Sequence, residues 1–130
     1  MPALSRQSLD RLSTCHEKLQ ELIYQVSKDF DLTVLCGHRD KLEQDKAVLE
    51  GRSKVQYPNS KHNQLPSLAV DIAPYPIDWN DVRRFYYLIG YIKGIANKLG
   101  IKIRVGADWN GNGEIKDQNF HDLPHIELVE

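Results

Sequence analysis

The sequence predicts one small α+β domain, formed by an antiparallel sheet and two long helices. Stretches with helical spacing of apolar residues alternate with short apolar runs typical of strands, without repeats or low-complexity segments. Hydrophobic residues make up 41% of the chain and charged residues 27%, the ordinary balance of a globular protein. A length of 130 residues suits a single core, so we expect residues 1–130 to form one domain.

The first half of the chain contains one long helical pattern. Between residues 8 and 27 apolar side chains recur every three or four positions, which predicts an amphipathic helix with Ser8 as its N-cap. The short run 32–36 predicts a buried strand, and residues 41–49 predict a helix. Residues 52–66 lack a sustained period and contain two prolines, which indicates a long loop of the kind that often carries function.

The second half continues this alternation. Residues 68–73 predict a strand with an acid inside it, and residues 79–99 predict the second long helix, with Asp78 able to cap it. Three further segments follow: a strand over 101–105, a loop rich in Gly, Asn and Asp over 106–119, and a strand over 125–129.

Charge and cysteine usage exclude several classes of function. The net charge of −1 provides no positive field for DNA, so a nucleic-acid partner is not expected. The N-terminus is polar and no stretch approaches about 20 apolar residues, so neither a signal peptide nor stable membrane insertion is predicted. Synthesis in a cytoplasm is expected, and the two distant cysteines, Cys15 and Cys36, are interpreted as buried thiols.

Two residues in the middle of the chain suggest chemistry without proving it. Asp71 interrupts an apolar strand, and a buried carboxylate needs a partner such as a metal, an arginine or backbone donors. For this residue taken alone, an edge-facing or otherwise satisfied aspartate is the more common explanation. His62 alone is similarly ambiguous, because most histidines have surface or structural roles.

The C-terminal segment strengthens the case for a metal. Residues 121–127 contain four titratable side chains around a proline, and alternation in a strand places His125 and Glu127 on the side opposite Ile126. Imidazole and carboxylate groups are good zinc ligands, and three protein ligands with one open position are typical of catalytic zinc.

These segments together resemble a known enzyme family. Ser60, Lys61 and His62, then Ala69, Val70 and Asp71, and finally Asp122 three residues before His125, are similar to the zinc peptidases that include D-Ala-D-Ala carboxypeptidases. The phage L-alanyl-D-glutamate peptidases, which serve as endolysins, are the most similar members. The animal hedgehog domains share this general scaffold.

The resemblance implies a role for each matching residue. Zinc would be bound by His62, Asp71 and His125, with His121 as a rival third ligand. Asp122 would be the general base, and Arg39 would stabilise an oxyanion or anchor a substrate carboxylate. Ser60 would contact the substrate or support a zinc ligand. Tyr75 is suggested as a substrate contact by its position in a turn directly after the Asp71 strand rather than by the resemblance, and a structural role is the alternative.

The loop after residue 107 has the opening half of an EF-hand calcium motif. Oxygen-bearing side chains occur at alternate positions with glycine at the sixth, although Asn119 replaces the closing glutamate. The alternative is a loop of Asx turns without metal. The candidate calcium ligands are Asp108, Asn110, Asn112, Glu114 and Asp117.

The predicted function is zinc-dependent hydrolysis of the L-alanyl-D-glutamate bond in peptidoglycan stem peptides. We expect a monomer that accumulates in the cytoplasm of a phage host and reaches the periplasm and cell wall through holin-type release. The alternatives are a D-alanyl-D-alanine carboxypeptidase, a zinc-stabilised binding module without catalysis, and a metal-free interaction protein.

Overall fold

A computed structural model describes residues 4–113 and 122–129, and it confirms the α+β class with an antiparallel sheet. These residues form four helices and four strands, and a short 3-10 turn at Lys61–Asn63 lies between the third helix and the second strand. The helices are α1 Arg6–Leu12, α2 Glu17–Ser27, α3 Lys41–Leu49 and α4 Val82–Leu99; the strands are β1 Leu32–Cys36, β2 Ala69–Pro74, β3 Ile103–Val105 and β4 His125–Leu128.

The sheet has the strand order β1-β2-β4-β3, and its two faces differ in chemistry. Side chains alternate between faces along each strand. Val70 and Ile72 of β2 and Ile126 of β4 therefore join the buried core, where they pack with apolar residues of α2 and α4. The opposite face, which we call the site face, carries Asp71, Arg104, Cys36, His125 and Glu127.

The prediction of one long helix over residues 8–27 is wrong, because two helices, α1 and α2, occupy this part of the chain. Between α1 and α2 the backbone pairs with Ser67: the amide of His16 donates to the Ser67 carbonyl, and the Ser67 amide donates to the Thr14 carbonyl, each at 2.8 Å. These bonds replace helical i to i−4 bonds, so the helix is interrupted. The partner lies more than fifty residues away, which no local pattern reveals.

The predicted N-caps also require correction. Ser5 caps α1, whereas Ser8 lies inside that helix, where its hydroxyl accepts from the Val34 amide at 3.0 Å. Asp81, rather than Asp78, caps α4 and accepts from the Arg84 amide at 3.3 Å. Among the described residues, no helix combines the length and the apolar character that a membrane span requires.

An irregularity in β1 brings a cysteine to the site face. The register with β2 shifts between Val34 and Cys36, so that Cys36 lies opposite Asp71. Bulges of this kind redirect a side chain to the other face of a sheet. Both cysteines are free; Cys15 is buried as predicted, and burial raises the pKa of its thiol to about 12, whereas Cys36 is only half-buried.

Candidate functional site

The register between the two central strands brings together residues that are far apart in the sequence. In the antiparallel pairing of β2 with β4, Asp71 lies directly opposite His125. The Nδ1 atom of His125 approaches Oδ1 of Asp71 to 3.4 Å. Directly opposed residues share a face and lie close enough for their side chains to interact. One half of the candidate site is therefore a consequence of strand pairing.

The 3-10 turn supplies the second imidazole. The hydroxyl of Ser60 accepts from the His62 amide at 3.2 Å and so caps this turn. His62 is buried, and its Nδ1 lies 2.8 Å from the carbonyl oxygen of Gly37, an arrangement in which Nδ1 carries the proton and donates. The other ring nitrogen, Nε2, then faces Oδ1 of Asp71 at 3.2 Å.

One carboxylate oxygen thus contacts both imidazoles, and the second oxygen contacts an arginine. Oδ2 of Asp71 lies 3.4 Å from the guanidinium of Arg39, which also donates to Gln44 at 3.0 Å. The Arg39 amide donates to the His62 carbonyl at 2.7 Å, which joins the two segments. The sequence-predicted residues Arg39, His62, Asp71 and His125 therefore meet in space.

The electrostatics of this cluster are dominated by the single carboxylate between two imidazoles. Burial alone would raise the pKa of Asp71, but the neighbouring His62 and His125 outweigh it and hold this pKa well below its usual range. Burial disfavours the charged form of both imidazoles, yet the Asp71 carboxylate raises the pKa of each. The site consequently keeps Asp71 ionised, as a metal ligand requires.

Glu127, for which no role was predicted, lies behind His125. The Nε2 atom of His125 lies 2.8 Å from Oε1 of Glu127. The other oxygen of this buried carboxylate accepts from Arg104 at 2.9 Å and lies 3.5 Å from Nζ of Lys61. The alternation of side chains along a strand predicted that residues 125 and 127 share a face, but it did not predict the contact between them.

Asp122 lies at the edge of the cluster. Its Oδ2 atom is 3.9 Å from Nδ1 of His125. Burial, followed by the negative charge of Asp71, raises the pKa of the Asp122 carboxyl to about 6. A carboxyl group with such a pKa is suited to exchange protons near neutral pH.

Cys36 provides an alternative to His125. Ligand atoms of Cys36, His62 and Asp71 all lie within 4.8 Å of one another, so these three residues could also hold a metal ion. The Cys36 sulfur lies 4.0 Å from Nδ1 of His62. That nitrogen is the one that contacts the Gly37 carbonyl, whereas Nε2 faces Asp71.

The remaining predicted residues are distributed differently. Ser60 lines the cleft above the cluster, whereas Tyr75 is half-exposed and is absent from the described residues that line it. A substrate contact of Tyr75 stays a prediction. In the candidate calcium loop, Oδ1 of Asp108 is buried without a hydrogen-bond partner in the described part of the chain, and Oδ2 accepts from the Gly113 amide at 2.8 Å.

Other calcium candidates are only partly observed. Oδ1 of Asn110 accepts from the Asn112 amide at 3.2 Å, which is the Asx turn anticipated as the alternative to a metal. Glu114, Asp117 and the rival zinc ligand His121 lie outside the described residues.

A cleft of about 470 Å³ opens over the cluster, and Arg39, Ser60, His62, Asp122 and His125 line it. The small α+β fold, with acid, imidazole and arginine side chains gathered on one sheet face below a cleft, is typical of hydrolases that bind a metal.

Comparisons with known proteins identify the family. Residues 2–129 match the family model described as phage L-alanyl-D-glutamate peptidase. The chain is 32% identical over 132 residues to the L-alanyl-D-glutamate peptidase of Escherichia phage T5, an alignment that covers 95% of this chain and 96% of that protein. The chain belongs to the family of phage L-alanyl-D-glutamate peptidases, which confirms the resemblance seen in the sequence.

A solved structure supports the fold independently. The crystal structure of the L-Ala D-Glu endopeptidase ChiX from Serratia marcescens matches 98% of this chain and 90% of its own, with a TM-score of 0.76 and 22% identity. At this identity the likeness establishes a shared fold.

Proposed function

We propose that this protein hydrolyses the L-alanyl-D-glutamate bond of peptidoglycan stem peptides with a zinc ion bound by His62, Asp71 and His125. The observation that carries the proposal is the convergence of two imidazole nitrogens on Oδ1 of Asp71, at 3.2 and 3.4 Å, below a cleft. Family membership supports the choice of bond.

Two of the three separations between the proposed donor atoms suit zinc. Zinc–nitrogen and zinc–oxygen distances of about 2.0–2.1 Å in a tetrahedral site require about 3.3–3.4 Å between ligand atoms. The separations of His62 Nε2 and His125 Nδ1 from Asp71 Oδ1, 3.2 and 3.4 Å, agree with that requirement. His125 is preferred to Cys36 because the His62 nitrogen near the sulfur is occupied by the Gly37 carbonyl, and because Glu127 orients the His125 ring.

Zinc, when bound, supplies Lewis acidity that activates water and polarises the peptide carbonyl. Asp122 accepts a proton from the attacking water and delivers it to the departing amine of the glutamyl residue. The forked N–H donors of the Arg39 guanidinium can hold the developing oxyanion or a substrate carboxylate. Ser60 keeps His62 in place by capping its turn.

The carboxylate behind His125 gives a first test of the metal site. Replacing Glu127 with glutamine is expected to weaken zinc binding about 10- to 100-fold, because the amide no longer holds the His125 ring as a charged acceptor. Competition with a chromophoric chelator measures the affinity directly. Glu21→Gln is the matched control, since Glu21 is an exposed residue of α2 that does not line the cleft; equal affinities in the two variants would contradict the role of Glu127.

A close backbone contact positions the proposed base. A methyl group on Gly106 would overlap the carbonyl oxygen of Asp122 and lie 2.9 Å from its Cβ. Gly106→Ala is therefore expected to cost about 1–3 kcal/mol of stability and to lower kcat about 10²-fold by displacing Asp122. Gly94→Ala, with nothing within 4 Å, is the control and should gain about 1 kcal/mol with unchanged activity. Unfolding by urea and peptide hydrolysis provide the two readouts.

We also propose a weak calcium site in the loop that begins at Asp108. The buried Oδ1 of Asp108, which has no hydrogen-bond partner among residues 4–113 and 122–129, supports it, and the small number of carboxylates in the loop predicts low affinity. Millimolar calcium is expected to raise the melting temperature by about 4 °C, whereas magnesium and the Asp108→Asn variant should show no such rise. An unchanged melting temperature in calcium would exclude the site.

The biological setting follows from the proposed reaction. An enzyme that cuts stem peptides must reach the cell wall, and for a phage protein made in the host cytoplasm a holin-type pore provides the route. We propose that it acts as a monomer on a single peptide strand. A binding module without catalysis is disfavoured because Asp122 and Arg39, which metal retention alone does not require, line the cleft.

Product analysis tests the reaction. Digestion of purified peptidoglycan should create new amino termini on D-glutamate and new carboxyl termini on L-alanine, and a chelator should abolish them until zinc is restored. Release of free D-alanine without new glutamyl termini would instead establish a D-alanyl-D-alanine carboxypeptidase. Undiminished cleavage in chelator would overturn the role of the metal.

A further inference from the structure

The cleft continues across the cluster of His62, Asp71 and His125 as two lobes. They meet at Arg39, Arg52 and Asp122. We call the first the basic lobe, because its additional lining includes Lys54, Lys61 and Arg104. We call the second the apolar lobe, because its additional lining includes Leu35, Trp79, Leu123 and Pro124.

The two lobes differ in charge. Among the described residues, the basic lobe presents five cationic side chains against the two carboxylates of Asp122 and Glu127. The apolar lobe presents two cationic side chains against the two carboxylates of Asp71 and Asp122. A concave surface with one dominant sign of charge concentrates ligands of the opposite sign, so only the basic lobe favours an anionic ligand.

The proposed substrate has a matching asymmetry about the bond to be cut. The glutamyl residue on one side brings a free carboxylate, whereas the alanyl residue on the other side is uncharged and is attached to the sugar. Resting on the proposed function, we propose that the cleft sets the direction of the stem peptide. The carboxylate-bearing glutamyl part lies in the basic lobe, and the alanine with its sugar lies in the apolar lobe against Trp79.

The basic lobe has both fixed and movable cations. Arg104 donates twice to Glu127, at 2.9 and 3.2 Å, and lies over the ring of Trp109 at 5.5 Å, so its position is set before substrate arrives. Arg52 and Lys54 are exposed at the rim, where long side chains can follow a ligand carboxylate. Arg52 must exchange its ion pair with Glu50, at 2.8 Å, to do so.

Trp79 is suited to a sugar contact. Its ring stacks on the buried Phe85 with centroids 5.3 Å apart and an interplanar angle of 21°, while 58% of the residue remains exposed. An aromatic surface held rigid from below offers its apolar face to the C–H groups of a sugar ring at little entropic cost.

The first arm of the test varies the charge of the substrate. Two muramyl peptides that differ only in a free or amidated glutamyl α-carboxylate are compared with the wild type and with the double variant Arg52→Gln/Lys54→Gln. We expect the wild type to prefer the free carboxylate about five- to tenfold in kcat/KM, a preference that the double variant should lose. The double variant Lys28→Gln/Lys98→Gln, which removes two exposed lysines outside both lobes, is the charge-matched control and should keep the preference.

The second arm varies the sugar. Trp79→Ala is expected to raise KM about two- to tenfold for a muramyl peptide and to leave KM unchanged for the same peptide without sugar. Tyr87→Ala, which removes an exposed aromatic ring outside both lobes, is the control and should affect neither substrate. Trp79→Phe keeps an aromatic face and should give an intermediate KM. This second variant keeps the test valid if Trp79→Ala fails to fold.

The outcomes separate this inference from the function on which it rests. Cleavage between alanine and glutamate with equal kcat/KM for the two charge forms, or an equal effect of Trp79→Ala on both sugar forms, overturns the direction and leaves the proposed function standing. If the wild type cuts no substrate at that bond, the proposed function fails and the inference fails with it.

Discussion

Replacing His125 with alanine is expected to lower zinc affinity by more than about 10²-fold and to abolish peptide hydrolysis. Loss of a residue that only orients a ligand already costs about 10- to 100-fold, and loss of the ligand itself must cost more. His62→Ala should behave in the same way, because its Nε2 and Nδ1 of His125 approach the same oxygen of Asp71, at 3.2 and 3.4 Å. Metal analysis of the purified variants measures the first effect, and hydrolysis of a muramyl peptide measures the second.

The control for this experiment also decides between the two possible sets of ligands. Cys36→Ser removes the thiol that lies near His62 and Asp71 while leaving both imidazoles. We expect this variant to retain one zinc ion per chain and its activity. If Cys36→Ser lost the metal while His125→Ala kept it, the third ligand would be the cysteine and the assignment of His125 would be wrong.

The second large effect concerns the proposed general base. Asp122→Asn is expected to lower kcat by about 10²–10⁴-fold with zinc content unchanged, because an amide cannot accept the proton of the attacking water. Its Oδ2 lies 3.9 Å from Nδ1 of His125, close to the cluster but farther away than Asp71.

Two measurements on this variant make the interpretation specific. Zinc stoichiometry must equal that of the wild type, and the melting temperature must show a folded protein. Asp45→Asn, an exposed aspartate paired with Lys41 on α3, should leave kcat unchanged. Loss of zinc from Asp122→Asn would show that this residue holds the metal, and full activity would remove it from the chemistry.

Local sequence patterns predicted most of the secondary structure. Short apolar runs predicted the strands β1, β2 and β4 within one residue of their observed bounds. The segment 41–49 was predicted as a helix, and α3 has the same bounds. The two errors had different causes, a distant backbone partner in the first helix and a choice between neighbouring aspartates at the start of α4. Ser67 interrupts the first helix, and Asp81 caps α4 because its carboxylate reaches the Arg84 amide.

Most of the candidate site was open to prediction because its residues occupy spaced motifs that the family shares. The sequence predicted the face of the strand on which Glu127 lies but not its role. That role follows from its contacts with His125 and Arg104, which only the structure shows. Cys36 was expected to be buried, and the bulge that turns it toward Asp71 has no signature in the sequence.

The amino-acid sequence by itself determined the α+β class, the family and the residue types available for chemistry, because periodicity and motif spacing are local properties of the chain. Only the tertiary structure decided which oxygen of Asp71 meets the two imidazoles, which carboxylate supports His125 and how charge divides between the two lobes of the cleft. Those features depend on strand register and on contacts between segments up to about sixty residues apart, which pairing across the sheet creates and no single stretch of sequence encodes.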